Sequence, residues 1–236
     1  MASLSVREDL RHPWAVPAEE AATIQRRLAE RVVLRSLPAT GEDAPRLAAG
    51  VDVGYSKDGR KAWGCAVVVD RRYRVIAESV VPGEPDMQYA TGYLAFREGR
   101  LTIEALCALP VTPDVVFCDG HGTVHERGLG LASHVGVLLD IPTIGVPKTP
   151  FHSVERLPGP MRGSILMLKK EWGAQGAAVR LRSGSKPVYV SPGHLVDLES
   201  AIELCLAWSS GRHRVPEPLQ AADTLSKHAR NEMPYQ

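Results

Sequence analysis

PDVVFCDGHGTVHERGLGLASHVGVLLDIPTIGVPK, residues 113–148, decides how the rest of the chain is read. Its apolar run VVFC (115–118) has no polar face, the pattern of a strand covered on both sides, and it stops at Asp119-Gly120-His121-Gly122. A carboxylate at the carboxyl end of a central strand borders the crevice where open α/β sheets place their chemistry. Glycines on both sides of His121 let backbone N–H groups approach a ligand, because no Cβ stands in the way. Residues 131–139 read as a helix, and 141–146 read as the next buried strand, which delivers Lys148 to the same edge. Plainer roles exist for each residue. Asp at a strand end also forms turns, and His134 on the helix reads as a packed histidine. His121 and His125 have a spacing that could suit zinc, but Gly122 opposes a helix there. The metalloprotease glutamate is also missing between them, so zinc is set aside.

With 236 residues, the sequence has room for one large domain or two small ones. Lys plus Arg total 28 against 27 Asp plus Glu, so net charge advertises no nucleic-acid partner and any basic surface must be local. Cys65, Cys107, Cys118 and Cys205 are far apart in apolar surroundings, as expected of reduced thiols in a cytosolic protein. Arg7, Glu8, Asp9 and Arg11 interrupt the N-terminal segment, so no secretory signal is expected, and no run is apolar enough to span a bilayer.

Residues 1–12 are expected to form a flexible tail, and 13–236 a single domain. From Pro17, the residues Ala21, Ile24, Leu28 and Val32 fall at helical spacing behind an acidic first turn, predicting an amphipathic helix. The first strand is LAAGVDVGYS (47–56). Asp52 lies there between Val51 and Val53, so its carboxylate points to the face opposite the valines, a costly place unless something pairs with it. WGCAVVV (63–69) and YRVIAESV (73–80) complete an antiparallel meander. A loop bearing Tyr89 leads to Gly92, which opens a helix carrying Phe96, Arg97 and Glu98. Strands are predicted at 164–169, 178–182 and 186–191, with a glycine-rich turn at 173–176. A helix at 197–208 follows, then a break at Pro216-Glu217-Pro218 and a final helix carrying Asp223. Strands and helices interleave throughout, so the fold class is α/β.

Four carboxylates stand apart from the solvated charges: Asp52 in mid-strand, Glu98 at a helix start, Asp119 at a strand end and Asp223 on a late helix lined by alanine and leucine. Gathered acids repel and raise one another's pKa, and a divalent cation relieves the repulsion. Oxygen ligands suit Mg²⁺ or Mn²⁺.

GVDVGY, YLAFREG, the long central stretch, PVYVSPGHLVDLESAIEL and EPLQAAD together resemble the successive motifs of the endonuclease V family, in order and spacing, from about Gly50 to Asp223. The resemblance implies a ribonuclease H-like fold, with a central mixed β-sheet flanked by helices. It also implies a monomeric, Mg²⁺-dependent endonuclease, with Mn²⁺ as substitute, acting on inosine- or deoxyinosine-containing DNA or RNA. Such an enzyme displaces the base and hydrolyses the second phosphodiester bond 3′ to it, leaving a 3′-hydroxyl and a 5′-phosphate, in DNA repair or inosine-RNA processing. Carried over, Asp52, Glu98 and Asp119 match the metal-binding and catalytic acids, and Asp223 matches a fourth position where some members have histidine. Lys148 matches the lysine near the scissile phosphate and Tyr89 the wedge aromatic. Gly92, Leu94, Gly120, Gly122 and His125 match the hypoxanthine pocket. Two features depart from the family. Gln88, Ala90 and Thr91 surround Tyr89 in place of the usual proline-tyrosine-isoleucine-proline, and Tyr93 replaces a common leucine. Losing both prolines loosens the loop. A junction resolvase or hybrid ribonuclease of the same fold, and a non-cleaving inosine-binding module, are the alternative readings. A dinucleotide site at Gly128 and Gly130 lacks a preceding strand and a third glycine.

Overall fold

The computed structural model describes residues 4–169 and 175–232. Among them, eight strands form one mixed sheet: β1 (Leu47–Tyr55), β2 (Ala62–Asp70), β3 (Val75–Gly83), β4 (Val115–Cys118), β5 (Thr143–Gly145), β6 (Ile165–Lys169), β7 (Gln175–Val179) and β8 (Val188–His194). Their order is β3-β2-β1-β4-β5-β8-β7-β6. β1, β2 and β3 make the expected antiparallel meander, while β1, β4 and β5 run parallel. The helices are α1 (Ala18–Ala29), α2 (Leu94–Cys107), α3 (Leu131–Leu139), α4 (Leu198–Ala207) and α5 (Glu217–Glu232).

The period-two alternation of β1 and β4 sorts the core into two layers. Ala49, Val51, Val116 and Cys118 pack with α1, α2 and α3, whereas Ala48, Val115 and Phe117 pack with α4 and α5. Asp52 is in step with Ala48, so it faces the α5 side, opposite the valines. A mixed sheet whose first strand carries Asp52 and whose neighbouring strand ends in Asp119, covered by helices on both faces, is a ribonuclease H-like fold.

Several boundaries differ from the predicted ones, for local reasons. β3 starts at Val75 because Tyr73 takes a left-handed φ of 62° in a turn that Asp70 Oδ1 closes on the amides of Arg72 and Arg74. β8 continues through Pro192, which sits beside a register shift at Thr143/Ile144, a place where a strand tolerates a missing donor. The predicted break at Pro216-Glu217-Pro218 is instead the start of α5, since proline in a first turn sacrifices no helical bond. α1 stops at Ala29, short of Val32. β7 lies at 175–179 rather than 178–182. Of the turn expected at 173–176, residues 173 and 174 lie outside the described residues, and Gln175 and Gly176 already belong to β7.

The expected flexible tail is docked from Leu4 onward. The Arg7 N–H donates to the Leu138 carbonyl at 2.9 Å, and Leu10 is buried. His12 Nε2 meets His134 Nε2 at 2.7 Å, and Trp14 stacks on the His134 ring with centroids 5.2 Å apart. A segment this short carries no periodicity, so its docking depends on contacts with residues more than 100 positions away. The imidazole pair needs one ring to donate and the other to accept, so it cannot survive double protonation. Burial, with Arg27 near His12, holds the His12 pKa below its ordinary value, and burial holds that of His134 well below it. Groups with lowered folded pKa values, favoured as neutral rings, contribute full stability above the unfolded value of 6.5 and lose it as pH falls. Glu98 and Asp52, whose folded pKa values are raised, gain stability as pH falls through the same window, so the histidine effect is read against a His12→Ala variant: the parent is expected to lose Tm relative to that variant between pH 6.5 and about 5. A Tm difference that stays flat across that window would refute this coupling. Among the described residues all four cysteines are free thiols, and no helix is long and apolar enough to cross a membrane.

Candidate active site

β1 and β4 run side by side with Val51 level with Cys118, so the next residues, Asp52 and Asp119, stand on neighbouring chains roughly 4.8 Å apart. α5 crosses β1 at backbone contact. A Cβ on Gly50 would lie 2.0 Å from the Pro218 carbonyl oxygen, and one on Gly54 would lie 2.7 Å from that of Ser226. This close crossing brings Asp223 and Ser226 to Asp52, and the Ser226 hydroxyl donates to Asp52 Oδ2. Beyond β5, Lys148 places Nζ 2.5 Å from Asp119 Oδ2 and 3.9 Å from Asp223 Oδ1. Lys227 Nζ lies 2.5 Å from Asp223 Oδ2. Glu98 comes from the opposite layer, in the second turn of α2, and accepts a hydrogen bond from the Tyr55 hydroxyl at 2.9 Å.

The electrostatics report how crowded these acids are. Burial raises the Asp52 pKa above the usual carboxylate range; the Ser226 hydrogen bond opposes this, and Asp119 and Asp223 add to it. Glu98 is pushed up to about 8, chiefly by burial, with the Tyr55 bond opposing and Asp52 and Asp119 reinforcing. Burial works against the Lys148 charge, but attraction to Asp119, Asp223 and Asp52 outweighs it and its pKa is raised. Among the described residues no three Asp, Glu, His or Cys side chains are already closed into a coordination shell. Instead the two lysines each engage an oxygen of Asp119 or Asp223, as expected for like charges that do not approach without a cation between them. The donor set is all carboxylate oxygen on fixed elements, and it fits a hard divalent cation.

A cavity of about 380 Å³ opens beside the acids, with Asp119 and Lys148 in its wall. Tyr89, Gly92, Leu94, Gly120 and His125 line it. Gly92 has φ +83° in the left-handed region, and its carbonyl accepts from Gln25 Nε2 at 3.1 Å, His125 Nε2 at 3.0 Å and Arg127 Nη2 at 2.8 Å. His125 Nδ1 accepts the Arg127 N–H at 3.2 Å, so its proton sits on Nε2. Tyr89 is 70% exposed at the mouth. Gly122 is placed elsewhere: its N–H donates to Ser191 Oγ at 2.8 Å, and a Cβ there would lie 1.8 Å from the Pro192 carbonyl oxygen. It packs the loop against β8 rather than lining the cavity.

Three residues at the site were not singled out by the sequence: Gln25, Ser226 and the hydroxyl of Tyr55. Gln25 did carry a signal, a polar residue between Ile24 and Leu28 on the apolar face of α1, where it is fully buried. Ser226 is hidden by its ordinary place one turn after Asp223.

A ribonuclease H-like sheet with acids from both layers beside a base-sized cavity defines the class as a nuclease. The family model described as Endonuclease V matches residues 26–224, and the chain belongs to that family. Endonuclease V of Roseiflexus sp. is 39% identical over 218 residues, covering 92% of this chain and 96% of that protein. The crystal structure of Endonuclease V from Streptomyces avermitilis superimposes with a TM-score of 0.84 at 41% identity, covering 94% of this chain and 98% of that one. Endonuclease V of Ciona intestinalis, crystallised with a 24mer DNA containing an inosine followed by a ribo-adenosine, gives a TM-score of 0.76 at 26% identity, covering 92% and 98%.

Proposed function

We propose that this chain is a divalent-cation-dependent endonuclease that captures inosine or deoxyinosine in the cavity and hydrolyses the second phosphodiester bond on its 3′ side, leaving a 3′-hydroxyl and a 5′-phosphate. The observation that carries the reading is the shared wall: Asp119 and Lys148 border both the acid cluster and the cavity. The inosine in the Ciona relative's DNA supports the substrate. Asp52, Asp119, Glu98 and Asp223 would hold the cation, Mg²⁺ or in its place Mn²⁺. When bound, it supplies a Lewis acid for the attacking water and the leaving oxygen.

The protein's own residues do the rest. Lys148, kept charged by its acidic neighbours, neutralises charge that builds on the phosphate. Gly92 and Gly120 let backbone come close to the edge of the displaced purine. Extruding a paired base costs a few kcal/mol, and Tyr89 offsets part of this by stacking in the vacated space, worth roughly 1–3 kcal/mol. Tyr89→Ala should accordingly slow duplex cleavage about tenfold and single-strand cleavage far less. Equal loss on both would refute the wedge role. Matched strands carrying inosine in RNA, deoxyinosine in DNA, or neither, incubated with Mg²⁺, Mn²⁺ or chelator, test the whole reading. Equal cleavage of the unmodified strand would favour a general ribonuclease H-like nuclease, and binding without cleavage in either metal would favour a non-cleaving module.

A further inference from the structure

Tyr55 is the last residue of β1, three positions beyond Asp52, so its side chain projects to the opposite face of the sheet, where α2 lies. Its ring packs with Val53, Ala62 and Leu101. A phenylalanine would fill the same space, so the hydroxyl needs its own account. That hydroxyl donates to Glu98 Oε1 at 2.9 Å, tying one carboxylate oxygen to the rigid end of the strand that carries Asp52. The Arg97 guanidinium lies 4.5 Å over the Tyr55 ring and donates through Nη1 to the Met87 carbonyl at 2.8 Å, two residues before Tyr89. Glu98 is thereby tied to the sheet, while its neighbour Arg97 ties the same ring to the base of the loop that carries Tyr89. A glutamate has three side-chain torsions to freeze before it can serve as a ligand, and a fixed donor on one oxygen does much of that in advance.

We propose that Tyr55 is a positioning residue, whose hydroxyl pre-orients Glu98 for the cation. The proposal rests on the assignment of Glu98 as a ligand made above. It is tested by titrating Mn²⁺ calorimetrically into the parent protein, Tyr55→Phe, Glu98→Gln and the double variant, with Tm of each measured in chelator. Tyr55→Phe is expected to bind Mn²⁺ about tenfold more weakly with the metal-free Tm unchanged, and to add nothing to the loss already caused by Glu98→Gln. Unchanged Mn²⁺ affinity in Tyr55→Phe overturns the proposal. So do additive losses in the double variant, which make the hydroxyl a general packing element. Should Glu98→Gln bind Mn²⁺ as tightly as the parent, the ligand assignment falls and the proposal with it. The titration uses no nucleic acid, so a failure of inosine preference in the cleavage assay is a separate result.

Discussion

Asp119→Asn is expected to lower inosine-strand nicking at least about 1,000-fold, a barrier rise of about 4 kcal/mol, while binding of the same strand stays within a few-fold. The substitution keeps shape and volume at the end of β4 and removes only the charge. That charge is central to the site: Asp119 is level with Asp52 across the parallel pair, it holds Lys148 Nζ at 2.5 Å, and it helps raise the pKa values of Asp52 and Glu98. Without it the cation loses a ligand. Lys148 also loses its nearest counter-charge and keeps Asp223 at 3.9 Å and the field of Asp52. Binding should survive because Tyr89, Gly92, Leu94, Gly120 and His125, which also line the cavity, are untouched and the substituted side chain keeps its size. Single-turnover nicking and a filter-binding titration on one labelled strand separate the two effects. Full activity in the variant would remove Asp119 from the mechanism, and parallel loss of binding would make it a nucleic-acid contact instead.

The sequence shows β4 and Asp119 because four apolar residues followed by Asp-Gly-His-Gly allow few alternatives to a buried strand opening into a tight loop. It shows Asp52 because a lone charge between valines has to be paired. Both signals are local. Tyr55 and Gln25 are less visible, since what matters is the hydrogen bond each makes to a residue 43 to 104 positions away. Gly122 shows the ambiguity of glycine: a motif assigns it to the pocket, and the backbone also packs it against the Pro192 carbonyl. Glycine serves close approach to a ligand and close approach to another strand equally well, and the letter alone does not say which. The docking of the segment from Leu4 onward is not legible in the sequence, because its anchors, Leu10, His12 and Trp14, follow no secondary-structure period and their partners lie on α2 and α3.

Gly50→Ala is expected to lower Tm by about 6–12 °C and to weaken cation binding, although residue 50 touches no substrate. At this crossing β1 and α5 meet without side chains between them. An added methyl would sit 2.0 Å from the Pro218 carbonyl oxygen and 2.6 Å from the Leu219 nitrogen, both backbone atoms at the rigid start of a helix. Neither can rotate aside, so α5 has to move outward as a body. Overpacking of this kind costs up to about 3 kcal/mol, and each kcal/mol shifts Tm by about 2–4 °C in a chain of this size. Asp223 and Ser226 ride on the same helix one and two turns further on, so the displacement reaches the acids as well. The Ser226 hydroxyl would draw away from Asp52, and Asp223 from Lys148. Asp119 and the cavity wall stay in place, so inosine-strand binding should fall less than Mn²⁺ affinity. A variant with parental Tm and parental Mn²⁺ affinity would mean that α5 yields freely at Gly50, and the placement of Asp223 would then have to come from its own contacts with Lys148 and Lys227 rather than from the helix–strand crossing.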